Sequence, residues 1–93
     1  MGNLGDIFEK RLAHLGIKKQ VDAAMICEAF DKAVFEVFSE SGAKNVRAVS
    51  FRSGVLKVGV TSSAWANEVS LRQIDLRSGE VIRIVYESRV DML

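Results

Sequence analysis

The sequence has no proline, one cysteine and one histidine, and each scarcity excludes a kind of structure or site. A single thiol, Cys27, cannot form a disulfide within the chain, and its apolar neighbours predict a buried side chain rather than a reactive one. One cysteine and one histidine cannot supply a usual structural zinc site, so we expect no metal. Because proline is absent and glycine and serine are concentrated at the predicted joints, the sequence contains no linker and indicates a single domain over residues 1–93.

Long apolar runs and nucleotide-binding loops are also missing. No apolar stretch approaches the roughly 20 residues that cross a bilayer, and residues 1–6 lack the charged and apolar regions of a signal peptide. We therefore expect a cytoplasmic protein without membrane contact. Neither phosphate-binding glycine motif occurs, and His14 is far along the chain from Ser62 and Ser63. These absences predict a protein that is not an enzyme and needs no cofactor.

Apolar residues at helical spacing predict two helices in the first half of the chain. Asn3 can cap the first helix and Gly16 can end it, with an apolar stripe formed by Leu4, Ile7, Phe8, Leu12 and Leu15. The second helix is predicted from about Asp22 to about Ser41, where Ser41-Gly42 closes it. Its apolar positions are Ile26, Phe30, Ala33, Val34, Val37 and Phe38.

The pattern then changes to the alternation of β-strands around Ser53-Gly54, which predicts a tight hairpin. A two-residue turn places Phe51 opposite Leu56 and Val49 opposite Val58 on the buried side. The serine pair that follows predicts a helix cap, with an apolar stripe formed by Trp65, Val69 and Leu76 and a break near Gln73. Residues 81–87 predict a last strand, with Ile82, Ile84 and Tyr86 on one face and Val81, Arg83 and Val85 on the other.

The element order α-α-β-β-α-β predicts an α+β fold in which helices cover one face of a three-stranded sheet. The type II K homology domain of nucleic-acid-binding proteins is one fold of this kind. Trp65 shares a stripe with core residues, so its side chain is expected to pack inside rather than to stack on a base. This fold class alone does not determine the function.

Charge is divided unevenly along the chain although the net charge is only +1. Between Gln20 and Ser41 five acids accompany one base, a net charge of −4, whereas between Lys44 and Arg89 eight bases accompany four acids, a net charge of +4. A basic half can hold a phosphate backbone while the acidic helix repels it. Ordinary solvated surfaces also produce such segregation.

The uncovered face of the sheet is the most basic surface that the alternation predicts. Arg52, Lys57 and Arg83 share it with small residues that would let a nucleic-acid backbone approach, namely Ala48, Ser50 and Gly59. Arg47 and Lys44 are further candidates for nucleic-acid binding. The alternative is that these bases only protect exposed strands from pairing with other chains, and we predict no aromatic residue on this face to stack on bases.

The run from Ser53 to Val69 carries a family resemblance. Gly54-x-Leu56-x-Val58 followed by Ser62-Ser63-Ala64-Trp65-Ala66-Asn67-Glu68-Val69 resembles the signature of the DciA family of bacterial replicative-helicase loaders. The resemblance implies a K homology-like domain that binds nucleic acid and helps to recruit or load the replicative helicase. Gly54, Leu56, Val58, Trp65 and Val69 are its structural signature.

Several positions depart from the family pattern. The usual tryptophan of the second helix is replaced by Phe35 or Phe30, the glycine that follows it is replaced near Glu40, and the proline before the hairpin by Ala48. The sequence ends at Leu93 without the flexible basic tail of many members. We expect binding to single-stranded or forked DNA and contact with the replicative helicase. A protein-interaction adaptor without nucleic-acid affinity and an RNA-binding module remain the alternatives.

Overall fold

Three helices and four strands lie within the part of the chain that the computed structural model describes, residues 4–14, 22–70, 73–75 and 81–89. In chain order they are α1 (Leu4–Ala13), α2 (Ala23–Asn45), β1 (Val46–Arg52), β2 (Val55–Val60), α3 (Ser63–Glu68), β3 (Ile74–Asp75) and β4 (Val81–Ser88). The sheet has the order β1-β2-β4-β3, with β1 antiparallel to β2, β2 parallel to β4, and β4 antiparallel to β3. The predicted α+β class and element order are confirmed, and β3 is an unpredicted addition.

The core lies between the helices and one face of the sheet. The rings of Phe8 and Phe30 join α1 to α2 edge to face, with centroids 5.2 Å apart at 87°. Burying each large apolar side chain of this kind contributes about 1.5–3 kcal/mol. The predicted stripes of α1 and α2 supply seven of the 16 buried apolar residues that the structure describes. The positions Asn3, Leu15, Gly16 and Leu76 lie outside the described residues. Buried residues of the two stripes are Leu4, Phe8, Leu12, Ile26, Phe30, Ala33 and Val34.

Helix α2 begins as predicted but does not end where expected. The Asp22 carboxylate accepts the Met25 backbone N–H at 2.9 Å and caps the first turn. The predicted closure at Ser41-Gly42 is wrong, because Ser39 interrupts the helix with φ 59° and ψ −149° and the helix then continues to Asn45. Gly42 lies against Phe38, where a Cβ atom would collide with that side chain. The glycine therefore permits close packing instead of ending the helix.

The hairpin turn is confirmed, and one register prediction is not. Ser53 and Gly54 have φ values of 51° and 79°, as a type I′ turn requires, and Phe51 pairs with Leu56. The pairing of Val49 with Val58 is wrong, since a bulge places Ala48 opposite Val58. The Asp31 carboxylate of α2 accepts the Ala48 backbone N–H at 2.9 Å and so holds the bulged strand. Ala48 is consequently buried on the inner face and does not lie on the uncovered one.

Helix α3 and strand β4 complete the core. Ser62 caps α3 by accepting the Trp65 backbone N–H at 3.4 Å, as the serine pair predicts. Helix α3 ends at Glu68, five residues before the break that the apolar stripe predicted near Gln73. The Tyr86 hydroxyl donates to the Val69 carbonyl at 2.6 Å and ties the end of α3 to β4. Both predicted faces of β4 are confirmed, with Ile82 buried and Val81, Arg83 and Val85 exposed.

Candidate nucleic-acid interface

The face of the sheet that the helices leave uncovered is called here the outer face. Strand register fixes which side chains stand next to each other on it, because side chains alternate between the two faces of a strand. Three rows cross β1, β2 and β4 in turn. They are Arg52, Val55 and Arg83 at the hairpin end, then Ser50, Lys57 and Val85, and then Arg47, Gly59 and Glu87.

Arg52, Lys57 and Arg83 come together at the hairpin end of the outer face, and we call these three residues the cationic triangle. Adjacent strands lie about 4.8 Å apart, so the Cα atoms of Arg52 and Arg83 are about 10 Å apart with Lys57 diagonal to both. The Arg83 backbone N–H donates to the Gly54 carbonyl at 2.8 Å, which fixes this strand against the turn. All three side chains are exposed.

The two arginines of the cationic triangle have no ion pair with any residue that the structure describes. An unpaired guanidinium retains all five N–H donors for an external anion, and its planar shape matches two phosphate oxygens at once. Lys57 differs, because its Nζ lies 3.8 Å from Oε1 of Glu87. An exposed pair at this distance contributes little to stability and can be replaced by a ligand phosphate. The geometry therefore favours anion binding at the hairpin end.

Glu87 gives the outer face a polarity that the sequence analysis missed. Its carboxylate accepts from the Arg89 guanidinium at 2.7 Å and also faces Lys57. The alternation that runs from Arg83 through Val85 to Glu87 was sufficient to place it on this face. Positive charge is therefore concentrated near the turn and is offset at the opposite end of β4.

The other two predicted site residues stand apart from the cationic triangle. Arg47 shares the outer face but lies in the row of Gly59 and Glu87, about 15 Å along β1 from Arg52. Lys44 is exposed on the last turn of α2 and does not belong to the sheet.

Trp65 and three of the other four signature residues pack in the core. The indole packs edge to face on Phe38, with ring centroids 5.5 Å apart at 87°, and is partly buried. Leu56, Val58 and Val69 are fully buried, while Gly54 forms the hairpin turn. The indole therefore contributes packing between α3 and α2.

A second surface feature runs along α2, and we call it the α2 groove. It is an open depression of about 880 Å³ with Ala24, Cys27 and Phe35 as its apolar residues. Phe35 is 54% exposed, which is the largest exposure among the large apolar residues that the structure describes. Two ion pairs cross its rim, Lys32 with Glu28 at 3.2 Å and Arg11 with Glu36 at 2.8 Å. The sequence analysis did not predict the groove. The available signal was Phe35, an aromatic residue that lies off the apolar stripe of its helix and is therefore exposed.

Two titratable groups in the α2 groove have altered proton affinities. Burial raises the pKa of Asp31, an effect that its hydrogen bond from Ala48 and the charge of Arg47 partly oppose. Burial, with a smaller contribution from Asp31, raises the pKa of the Cys27 thiol. The raised pKa disfavours the reactive thiolate, but Cys27 is only partly buried and lines the open groove, so the prediction of a buried side chain is wrong.

Among the described residues no three histidine, cysteine, aspartate or glutamate side chains are grouped so that they could hold a metal ion. None of the described helices combines the length and the apolar character that a membrane span requires.

A protein-family model matches the chain. It is described as "Dna[CI] antecedent, DciA" and covers residues 3–79, more than four fifths of the sequence. No curated protein and no solved structure gives a significant match. The matched range contains α1, α2, the hairpin and the strand-to-tryptophan run whose packing is described above. The chain belongs to the DciA family of bacterial replicative-helicase loaders.

Proposed function

We propose that the protein is a non-enzymatic accessory domain that binds single-stranded or forked DNA through the cationic triangle and assists recruitment of the replicative helicase. Membership of the DciA family implies a helicase-loader-like role in replication. The DNA interface is supported by one observation above all. The guanidinium groups of Arg52 and Arg83 are exposed on either side of Val55 and form no ion pair with a described residue.

The distribution of charge supports the same orientation. The described part of α2 with its cap carries Asp22, Glu28, Asp31, Glu36 and Glu40, and it packs on the opposite side of the sheet. A phosphate backbone is attracted to the outer face and repelled from α2, so the dipole orients the approaching strand. Arg47 and Lys44 are secondary contacts in this proposal, since both are exposed but lie away from the cationic triangle.

A K homology-like architecture belongs to the same proposal. The order α-α-β-β-α-β and the parallel pairing of β2 with β4 are compatible with a type II domain of that kind. The sequence has no G-x-x-G loop between paired helices, which is the element that clamps nucleic acid in K homology domains. The outer face is therefore the proposed interface in place of that loop.

The proposal is tested by titrating a fluorescent single-stranded DNA with the protein at two salt concentrations. Three phosphate contacts to a single strand correspond to a slope of about −2 in log K against log salt, roughly a 20-fold loss of affinity between 50 and 200 mM. Replacing the cationic triangle, Arg52→Glu, Lys57→Glu and Arg83→Glu together, should abolish binding. Unchanged binding of this triple variant rejects the interface.

Two controls make the titration specific. The pair Lys10→Gln and Lys32→Gln removes the same charge as Arg52→Gln and Arg83→Gln, but from exposed positions on helices α1 and α2. Only the arginine pair should reduce both the affinity and the salt slope. A forked DNA and an RNA of equal length complete the series, and a clear preference for RNA would favour an RNA-binding module instead.

A second candidate function is a protein-interaction adaptor, and the α2 groove favours it. An exposed aromatic side chain in an apolar depression with a charged rim is typical of surfaces that bind other proteins. In this alternative the groove contacts the helicase and the outer face has no nucleic-acid affinity.

The two candidates are separated by one pair of measurements with purified replicative helicase. Phe35→Ser should weaken co-sedimentation with the helicase if the α2 groove is the contact, and the charge-neutral surface change Ser41→Ala serves as its control. Helicase binding combined with the absence of any shift with DNA or RNA would establish the adaptor function over the first proposal.

A further inference from the structure

The outer face also exposes aliphatic side chains between its cations. On β4, Val81 and Val85 lie two residues on either side of Arg83, and they are 39% and 41% exposed. On β2, the partly buried Val55 lies between Arg52 and Arg83 in the row at the hairpin end. Of the four large apolar residues that are exposed within the described ranges, two therefore lie beside the cationic triangle.

We infer that Val55, Val81 and Val85 form an aliphatic floor that contacts unpaired nucleobases, so that this face selects single strands over duplex. The inference rests on the proposed function, because it assigns a further role to the same surface. Arginine and lysine carry their charge at the end of flexible apolar stems, whereas valine ends close to the backbone. Phosphates held at the tips of the cations would leave a shallow apolar space beneath them.

A base of a single strand can enter this space, and a base of a duplex cannot. Every unstacked base has an apolar face that gains from leaving water, whereas paired bases are stacked inside the helix and present only their edges in the grooves. Contact with valine is weaker than stacking on an aromatic ring, which this face lacks among its described residues. The valines would therefore add selectivity to a binding energy that comes mainly from phosphates.

The salt bridge of Glu87 limits where such a strand can lie. Its carboxylate faces Lys57 and Arg89 at the end of β4 remote from the turn, and a phosphate there would meet negative charge. The strand is consequently directed away from Glu87 and across the hairpin end, over Val55 and between Arg52 and Arg83.

The test compares three ligands of equal length and equal phosphate number per strand, namely oligothymidine, a wholly abasic DNA strand and a duplex. The wild-type protein should bind oligothymidine about fivefold more tightly than the abasic strand, as expected for partial burial of a few aliphatic groups. Val85→Ser removes one of the three valines, so it should lower the affinity for oligothymidine about twofold and leave the abasic affinity unchanged. Val85→Trp should strengthen oligothymidine binding about tenfold by stacking, again without effect on the abasic strand.

Val49→Ser and Val49→Trp are the matched controls, because Val49 is 39% exposed on the same sheet but lies in the β1 bulge without a partner on β2. They should leave all three affinities unchanged. Equal affinity of the wild type for oligothymidine and the abasic strand, or no gain with Val85→Trp, overturns the aliphatic floor while leaving phosphate binding intact. Failure of the wild type to bind any of the three ligands overturns the proposed function itself.

Discussion

Asp31 shows how one polar side chain sets the shape of this small sheet. It lies on α2, yet it accepts a hydrogen bond from Ala48 in the edge strand β1, at the point where the bulge occurs. Burial of the carboxylate costs solvation, which is why the pKa of Asp31 is raised in spite of this bond and of the nearby Arg47. Asp31 thus fixes the register of β1 against β2, and its buried charge lowers the stability of the fold at neutral pH.

Asp31→Asn is predicted to change the pH dependence of unfolding. A folded-state pKa above the unfolded value means that the folded protein holds the proton more tightly, so stability falls as pH rises from the ordinary carboxyl value through the raised one. The amide keeps an oxygen acceptor for Ala48 and carries no charge. We expect equal stability of variant and wild type at about pH 3 and greater stability of the variant at about pH 7 in urea unfolding.

Asp31→Ala is the control for this prediction. Its loss of the acceptor leaves the Ala48 N–H without a partner, so Asp31→Ala should be about 1–2 kcal/mol less stable than Asp31→Asn at both pH values. The account of Asp31 is wrong if the asparagine variant is destabilised at neutral pH as much as the alanine variant.

Ser39 is predicted to carry backbone strain that glycine would relieve. Its φ of 59° with ψ of −149° falls in a region that is essentially restricted to glycine. Ser39→Gly should therefore raise the free energy of unfolding by about 1 kcal/mol, measured by urea denaturation. Ser39→Ala retains the Cβ atom and should give no gain, and equal stability of both variants would contradict the assignment of strain. The family resemblance also expects a glycine in this part of α2, near Glu40.

At the scale of elements, the short helix α3 depends on its neighbours. Six residues are too few for a stable isolated helix. Three contacts hold it in place: the cap by Ser62, the ring contact of Trp65 with Phe38, and the hydrogen bond from Tyr86 to Val69. The signature run from Ser53 to Val69 therefore serves to hold α3 against the rest of the domain.

Trp65→Ala is predicted to destabilise the domain by about 3 kcal/mol, because a large, partly buried aromatic side chain is removed from its contact with Phe38. Trp65→Phe should retain much of the edge-to-face contact and cost less. Thermal unfolding followed by circular dichroism measures both. If Trp65→Phe is as stable as the wild type yet loses DNA binding, the indole has a direct role in binding that this account denies.

The elements were largely predictable from the sequence, and two local features were not. Period-two alternation around Ser53-Gly54 predicted the hairpin, its two-residue turn and the outward positions of Arg52 and Lys57, and the alternation of the last strand predicted that of Arg83. The bulge depends on a contact between Asp31 and Ala48 that is 17 residues apart along the chain, so local pattern contained no signal for it. The kink at Ser39 was hidden because apolar spacing continues through Phe38 to Gly42.

For the whole molecule, the candidate interface results from the separation of negative and positive charge on the two sides of the sheet. The helices place acidic α2 on one side and leave the cationic triangle on the other, and Glu87 confines the excess positive charge to the hairpin end. The sequence analysis identified the cations correctly as neighbours on one face. Arg47 and Lys44 were further candidates without a place on that face. Arg47 lies on the outer face because of the β1 bulge, for which the local sequence pattern has no signal.

The central claim is that DNA lies on the outer face at the hairpin end, and amide chemical shifts on titration with single-stranded DNA test it most directly. We expect the largest shifts to cluster at residues 52–57 and 81–85 and to become smaller when the salt concentration is raised. Shifts concentrated along α2 at residues 24–39, with none around the cationic triangle, would contradict it.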